Sequence, residues 1–183
     1  MKNTILLLFL FFGLVALSHA QEEIKWMTMN EALAAQKEKP KKILMDAYTV
    51  WCGPCRMMDK NTFGNQDVAQ YVNTHYYPVK FNAEGNDTIY YNDQAYTNPK
   101  YDSARKNGRN YQHLFAKSLH INGYPSIVFF DEQARLIAPI MGYRKPTEIE
   151  IFLKMIANDD YKELDDEQAW SKYQQNFIPS FRD

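Results

Sequence analysis

Apolar positions along this chain switch between a helix period and a strand period, and the switches outline one α/β unit. Asn30 precedes Glu31-Ala-Leu-Ala-Ala-Gln-Lys-Glu-Lys39, which predicts a short capped helix stopped at Pro40. Ile43 to Val50 is an apolar run of strand length interrupted by Asp46, the pattern of a central strand buried on both faces. Gly53 to about Phe63 returns to helix spacing through Met57, Met58 and Lys60, with Pro54 in the first turn, where its missing N–H costs nothing. A helical piece, Asp67 to Asn73, and a strand, Tyr76 to Asn82, come next. Strand, helix, strand in this order predicts two parallel strands joined by a right-handed crossover.

From Glu84 to Arg109 the periodicity stops. Turn signals at Gly85-Asn86-Asp87, Asn98-Pro99 and Asn107-Gly108 punctuate a stretch rich in Asn, Asp, Gly and Tyr, which reads as an insertion. A structureless segment this long is unusual inside a compact domain, so Tyr90, Tyr91, Tyr96 and Tyr101 are expected to pack it down as an ordered loop or short helices. Helix spacing resumes from Asn110 to Ile121. Ser126 to Phe130 and Arg135 to Met141, joined by Asp131-Glu-Gln-Ala134, predict a hairpin. Thr147 is read as the cap of a helix from Glu148 to Ala157 whose Ile149, Phe152, Leu153 and Ile156 share one face. A C-terminal extension from about residue 160 to residue 183 contains a further amphipathic segment, Glu163 to Tyr173, expected to be helical.

The first twenty residues change the reading of the rest. Lys2, the uncharged apolar core Ile5 to Leu17, and the small residues of Ser18-His19-Ala20 form the pattern of a secretory signal cut near Ala20. The apolar run is shorter than the roughly 18 to 20 residues of a spanning helix, so no stable membrane insertion is expected after cleavage. Residues 21 to 183 then form one domain. A formal net charge of −1 with interspersed lysines and glutamates offers no basic field for nucleic acid.

An exported protein with two cysteines would ordinarily hold one structural staple. The pair here is Cys52 and Cys55, and a bridge over two residues removes little entropy from the unfolded chain. Structural zinc wants four ligands, and there is no second cysteine pair; His75, His113 and His120 are scattered, so no metal is assigned. The position of the pair suggests chemistry instead. Cys52 ends a strand and opens a helix, where unpaired backbone N–H groups and the positive end of the helix dipole lower a thiol's pKa from about 8.5 and favour the nucleophilic thiolate. Cys55, one turn on, is placed to resolve a mixed disulfide. Gly53 lets a partner chain approach, Pro54 stiffens the junction, and Trp51 can shield the pair. Asp46, a carboxylate in a buried strand, is expected to have a raised pKa and to take the proton from Cys55; the competing reading is local backbone bonding or a pair with Lys80.

These residues resemble the thioredoxin superfamily over most of the mature chain. Trp51-Cys52-Gly53-Pro54-Cys55 matches the active-site string of thioredoxins, Asp46 and Lys80 stand where the family has its buried aspartate and paired lysine, Pro125 matches its cis-proline, and Gly142 its late glycine. The resemblance implies a thioredoxin fold, a central mixed β-sheet flanked by helices, with Tyr124 and Pro125 facing the cysteines across a groove that binds an extended substrate segment. Three departures stand out: Tyr124 replaces the usual aliphatic, Tyr48 a typical tryptophan, and the insertion has no counterpart in thioredoxins. With the signal segment and Asp59-Lys60-Asn61-Thr62-Phe63, the chain looks closer to exported thioredoxin-like proteins of Gram-negative bacteria. The expected activity is reduction or exchange of disulfides in exported, periplasmic proteins, without a cofactor, with a membrane thiol electron donor to restore the dithiol. Two rival functions are a disulfide-donating oxidase and a binding or assembly module built on the tyrosine-rich insertion.

Overall fold

The computed structural model describes residues 22–183, so the expected signal segment lies outside the described residues. In chain order the elements are α1 (Met29–Glu38), β1 (Lys42–Tyr48), α2 (Gly53–Met58), α3 (Gln66–His75), β2 (Tyr76–Asn82), β3 (Ile89–Tyr91), β4 (Gln94–Tyr96), α4 (Leu114–Ser118), β5 (Ser126–Phe130), β6 (Leu136–Met141), α5 (Pro146–Ala157) and α6 (Glu167–Asn176). A four-stranded mixed sheet runs β2-β1-β5-β6. β1 is parallel to β2 and antiparallel to β5, and β6 continues the antiparallel half.

Side-chain alternation on β1 explains why its sequence is apolar without a break. Ile43, Met45 and Ala47 enter a core shared with α1, α4 and the insertion, and Leu44 enters a second core with α3 and α5. By the same period of two, Asp46 shares the face of Leu44, where α2 and α3 lie. Val128 and Phe130 of β5 meet the first core, Ile127 and Phe129 the second. A strand flanked by two cores has no solvent face to mark with polar residues.

Several boundaries differ from the sequence reading, each for a local reason. The cap of α1 is Thr28, two residues before Asn30: its Oγ1 accepts from Glu31 N, and Glu31 Oε2 accepts from Thr28 N. Asn30 ties the insertion down instead, donating to Thr88 O and accepting from Tyr90 N. The helix read from Glu148 starts at Pro146, leaving Thr147 inside its first turn, hydrogen-bonded to Asp183. The stretch read as a helix from Asn110 to Ile121 is helical only from Leu114 to Ser118, because Asn110 is bonded to Asp102 and His113 N to Ala83 O. His113 caps that turn, its Nδ1 accepting from Phe115 N, and burial lowers its pKa.

The insertion is ordered, but its first part is a strand hairpin in place of the expected loop or short helices, and the alternation of β3 turns Tyr90 outward, 65% exposed. β3 and β4 form a two-stranded hairpin around Asn92 and Asp93, both at positive φ. Tyr91 and Tyr96 pack edge-on against Phe115, and the Tyr91 hydroxyl donates to Ala134 O. At the other end of the chain, residues 180–182 fold back over α3 and α5. Among the described residues no helix is long and apolar enough to cross a membrane.

Candidate active site

β1 and β2 run parallel, with Tyr48 level with Asn82, and Ala47 lies opposite Ser126 of β5. This register gathers at one sheet end the chain leaving β1, the first residues of the insertion and the segment entering β5. Cys52 and Cys55 sit there, joined in a disulfide, and both are 2% exposed. Cys52 is the N-cap of α2, and Cys55 N donates to Cys52 Sγ at 3.1 Å. Pro54 occupies the first turn, as its fixed φ favours. Beyond Met58 the helix widens into a π-turn over Asp59–Phe63.

Behind the cysteines lies a charged cluster. Asp46 is 1% exposed, and its Oδ2 accepts from Lys80 Nζ at 2.6 Å. The same Nζ bonds Asp59 Oδ1, so Lys80 bridges a buried and a partly exposed carboxylate. Trp26, Tyr48 and Phe63 surround the ammonium, with ring centroids 4.9, 5.0 and 5.6 Å away. Among the described residues Asp46 Oδ1 has no hydrogen-bond partner. Burial therefore dominates its titration: it raises the pKa from 3.8 to about 6, opposed by Lys80 and reinforced by the charge of Asp59. Burial lowers the Lys80 pKa, but the two carboxylates outweigh that and hold it above the ordinary lysine value.

On the other side the insertion holds Trp51. The indole Nε1 donates to Glu84 Oε2 at 2.7 Å, the same oxygen accepts from Asn110 N at 2.8 Å, and the Arg109 guanidinium lies 4.0 Å from the ring centroid. Tyr124 meets the indole edge-on at 6.2 Å. The Tyr124–Pro125 peptide is cis, and Pro125 O accepts from Gly142 N at 2.8 Å. Gly142 has φ +99°, a conformation that favours glycine.

Of the residues singled out in the sequence, Trp51, Cys52, Gly53, Pro54 and Cys55 lie where β1 leads into α2, Asp46 and Lys80 pair on adjacent strands, and Tyr124, before the cis Pro125, meets Trp51. Three further residues at the site carried no assigned role: Asp59, Glu84 and Arg109. Asp59 had a usable signal, since it lies four residues after Cys55 in a helical stretch and therefore on the same face. Glu84 and Arg109 had none, because their contact with Trp51 spans the insertion.

Comparison with known proteins follows the same lines. Among curated proteins, thiol:disulfide interchange protein DsbD of Salmonella typhi is 29% identical over 107 residues, 58% of this chain and 14% of its own length. The chain therefore spans about one seventh of that relative. A thioredoxin-fold protein from Helicobacter pylori shares the fold with a TM-score of 0.56 and 16% identity, covering 80% of this chain and 94% of that one. DsbH oxidoreductase does so with a TM-score of 0.53 and 18% identity, covering 74% and 85%. The thioredoxin-like domain family matches residues 29–157, well over half of the sequence, and the chain belongs to it.

Proposed function

We propose that this protein is a thiol-disulfide oxidoreductase that reduces or exchanges disulfides in exported proteins through Cys52 and Cys55. The observation that carries the reading is the Cys55 N–H aimed at Cys52 Sγ at a helix N-cap. In the reduced protein the same donor meets a thiolate, and the dipole of the helix adds to it, so Cys52 is the sulfur that attacks. Its attack on a substrate disulfide forms a mixed disulfide and releases one substrate thiolate. Cys55 then attacks Cys52, the second substrate sulfur leaves, and the Cys52–Cys55 disulfide remains. Cys55 must lose its proton to do so, and Asp46, with a pKa near 6 and a free Oδ1, is the proton acceptor. Trp51, Gly53, Pro54, Tyr124 and Pro125 form the surface on which an extended substrate segment lies.

The curated relative's name, a thiol:disulfide interchange protein, supports the exchange chemistry, and the apolar leader supports export to the periplasm. An enzyme that reduces there ends each cycle oxidised, so a thiol donor at the membrane is the partner that restores it. The Gly53-Pro54 dipeptide favours reduction over oxidation. Trapping tests the mechanism: Cys55→Ser should leave substrates covalently joined to Cys52, and a complete lack of mixed disulfides would refute it. The reduction potential tests the direction. A value near about −270 mV fits a reductase, and one near about −120 mV would make the protein an oxidant.

A further inference from the structure

The insertion is segregated by charge. From residue 84 to 99 it carries Glu84, Asp87 and Asp93 and no lysine or arginine. From residue 100 to 111 it carries Lys100, Arg105, Lys106 and Arg109 against the single carboxylate of Asp102. All four cations are exposed. Asp102 is taken by Arg105 at 3.2 Å, so Lys100, Lys106 and Arg109 have no ion-pair partner among the described residues. Within a chain of net charge −1, this twelve-residue stretch thus presents three cations without an ion-pair partner among the described residues.

That lobe is fixed in place. Asn110 and Asp102 close it with a reciprocal pair of bonds, Asp102 N to Asn110 Oδ1 and Asn110 Nδ2 to Asp102 O. Asn98 Nδ2 bonds Gly85 O and Tyr111 O, tying both insertion ends together. Arg109 stacks on Trp51, the residue before Cys52, and Asn110 N donates to Glu84, which accepts from the same indole. Glu84, the carboxylate at this end, is partly buried, and its Oε2 already accepts two N–H groups. Arg56 follows Cys55 and is exposed, its Nη1 donating to Val50 O. Cations therefore stand next to the pair in sequence, at Arg56, and in contact with its neighbour Trp51, at Arg109.

We propose that residues 100–111 are a docking lobe for an acidic segment of the partner protein, placed beside the partner's cysteine as that cysteine meets Cys52. The proposal rests on the exchange reading above. Opposite charge raises the rate of encounter and fixes orientation before the sulfur chemistry begins, and it does so in a salt-dependent way. A rigid cationic lobe joined to the tryptophan beside the nucleophile selects among substrates that present equally accessible disulfides.

Three peptide disulfides, alike except for Asp, Asn or Lys flanking the cystine, separate the possibilities. With the reduced protein at low salt, the Asp-flanked peptide should react about tenfold faster than the Asn-flanked one, and the Lys-flanked one slowest. At roughly 0.5 M salt the three rates should converge to within about twofold. The combined variant Lys100→Gln, Lys106→Gln and Arg109→Gln should bring the Asp-to-Asn ratio close to one. Equal rates for the three peptides, or an Asp preference that survives in this variant, would overturn the proposal. A second measurement needs no sulfur chemistry. A cysteine-free Asp-rich peptide titrated into the oxidised protein should shift the Trp51 indole N–H and Arg109 Nε–H nuclear resonances, and the absence of any shift would overturn the lobe as a docking site. If those signals move while none of the peptide disulfides is reduced, the exchange reading fails and the lobe stands.

Discussion

Asp46 and Glu150 are both buried carboxylates beside a lysine, and they behave in opposite ways. Glu150 is 0% exposed on α5, yet its oxygens accept from Lys154 Nζ, Ser180 N, Ser180 Oγ and Phe181 N. Burial pushes its pKa up, but these donors outweigh that and hold it below the ordinary value. Asp46 has Lys80 alone, one oxygen is orphaned, and its pKa rises to about 6. Burial is common to the two; the number of donors is not. A buried carboxylate with every lone pair engaged is a fastener, whereas one left short of partners is poised to take a proton. The carboxylate under the C-terminal strap belongs to the first kind, and Asp46 on β1 to the second.

The largest effect that separates the two should be on turnover. Asp46→Asn removes the proposed proton acceptor, and resolution of the mixed disulfide should slow about a hundredfold near pH 7. Rapid acid quench with thiol alkylation would show the mixed disulfide accumulating. Glu150→Gln should leave that step within about twofold of the parent, and equal slowing in the two variants would erase the distinction.

Stability should move the other way. Glu150→Gln leaves at least one buried donor facing an amide N–H₂, and a loss of about 2 kcal/mol is expected in urea unfolding. Amide exchange should rise at Ser180 and Phe181, whose N–H groups Glu150 holds. Asp46→Asn removes a charge that the fold keeps at a cost. The rise from 3.8 to about 6 bounds the gain near 3 kcal/mol, and the buried amide and the loss of the Lys80 pair reduce it to about 1 to 2 kcal/mol of added stability at pH 7.

The pH dependence of unfolding should sharpen the contrast. Between about pH 4 and 6 the folded protein keeps a proton on Asp46 that the unfolded chain has lost, so this group makes stability fall as pH rises through that window. Glu150 has a lowered pKa, so its contribution is present above 4.5 and is lost as pH falls below that value. Subtracting the Asp46→Asn profile from the parent should give a curve descending from pH 4 to 6. Subtracting the Glu150→Gln profile should give one rising from the acid side. Parallel difference curves would mean that the two sites are electrostatically alike.

Sequence reading reached one of these carboxylates and not the other, and the reason is physical. Asp46 interrupts an apolar run, so its burial is written in its neighbours, and the resemblance supplied Lys80. Glu150 lies between Ile149 and Ile151 in a helix and looks like an ordinary solvent-side charge; its burial is made by residues 180 and 181, thirty positions away, with no periodic signal. The insertion divides in the same manner. Tyr91 and Tyr96 pack as expected, but Tyr90, on the other face of β3, is 65% exposed; the Asn92-Asp93 hairpin turn stands where a loop or short helices are expected, and the clasp of Glu84 and Arg109 on Trp51 exists only once the chain has closed. Thr28 is a different case: the pattern Thr28-Met29-Asn30-Glu31 is a capping box visible in the sequence, passed over for a nearer polar residue.

The smallest predicted effect tests whether Asp46 is poised by its own burial or by the whole cluster. Asp59 acts on it twice, through its own negative charge and through its share of Lys80, and both keep the Asp46 pKa high. Asp59→Asn removes the repulsion and leaves the ammonium a single charged partner, so the Asp46 pKa should fall, by less than about one unit because burial remains the dominant cause. The acid limb of the resolution rate should then move to lower pH, and the descending stability window with it. A rate profile that shifts without the stability window would show that Asp59 acts on the cysteines and not through Asp46. If both shift together, Lys80 couples the partly exposed carboxylate to the buried one, and the proton behind Cys55 is held by three groups acting as a unit.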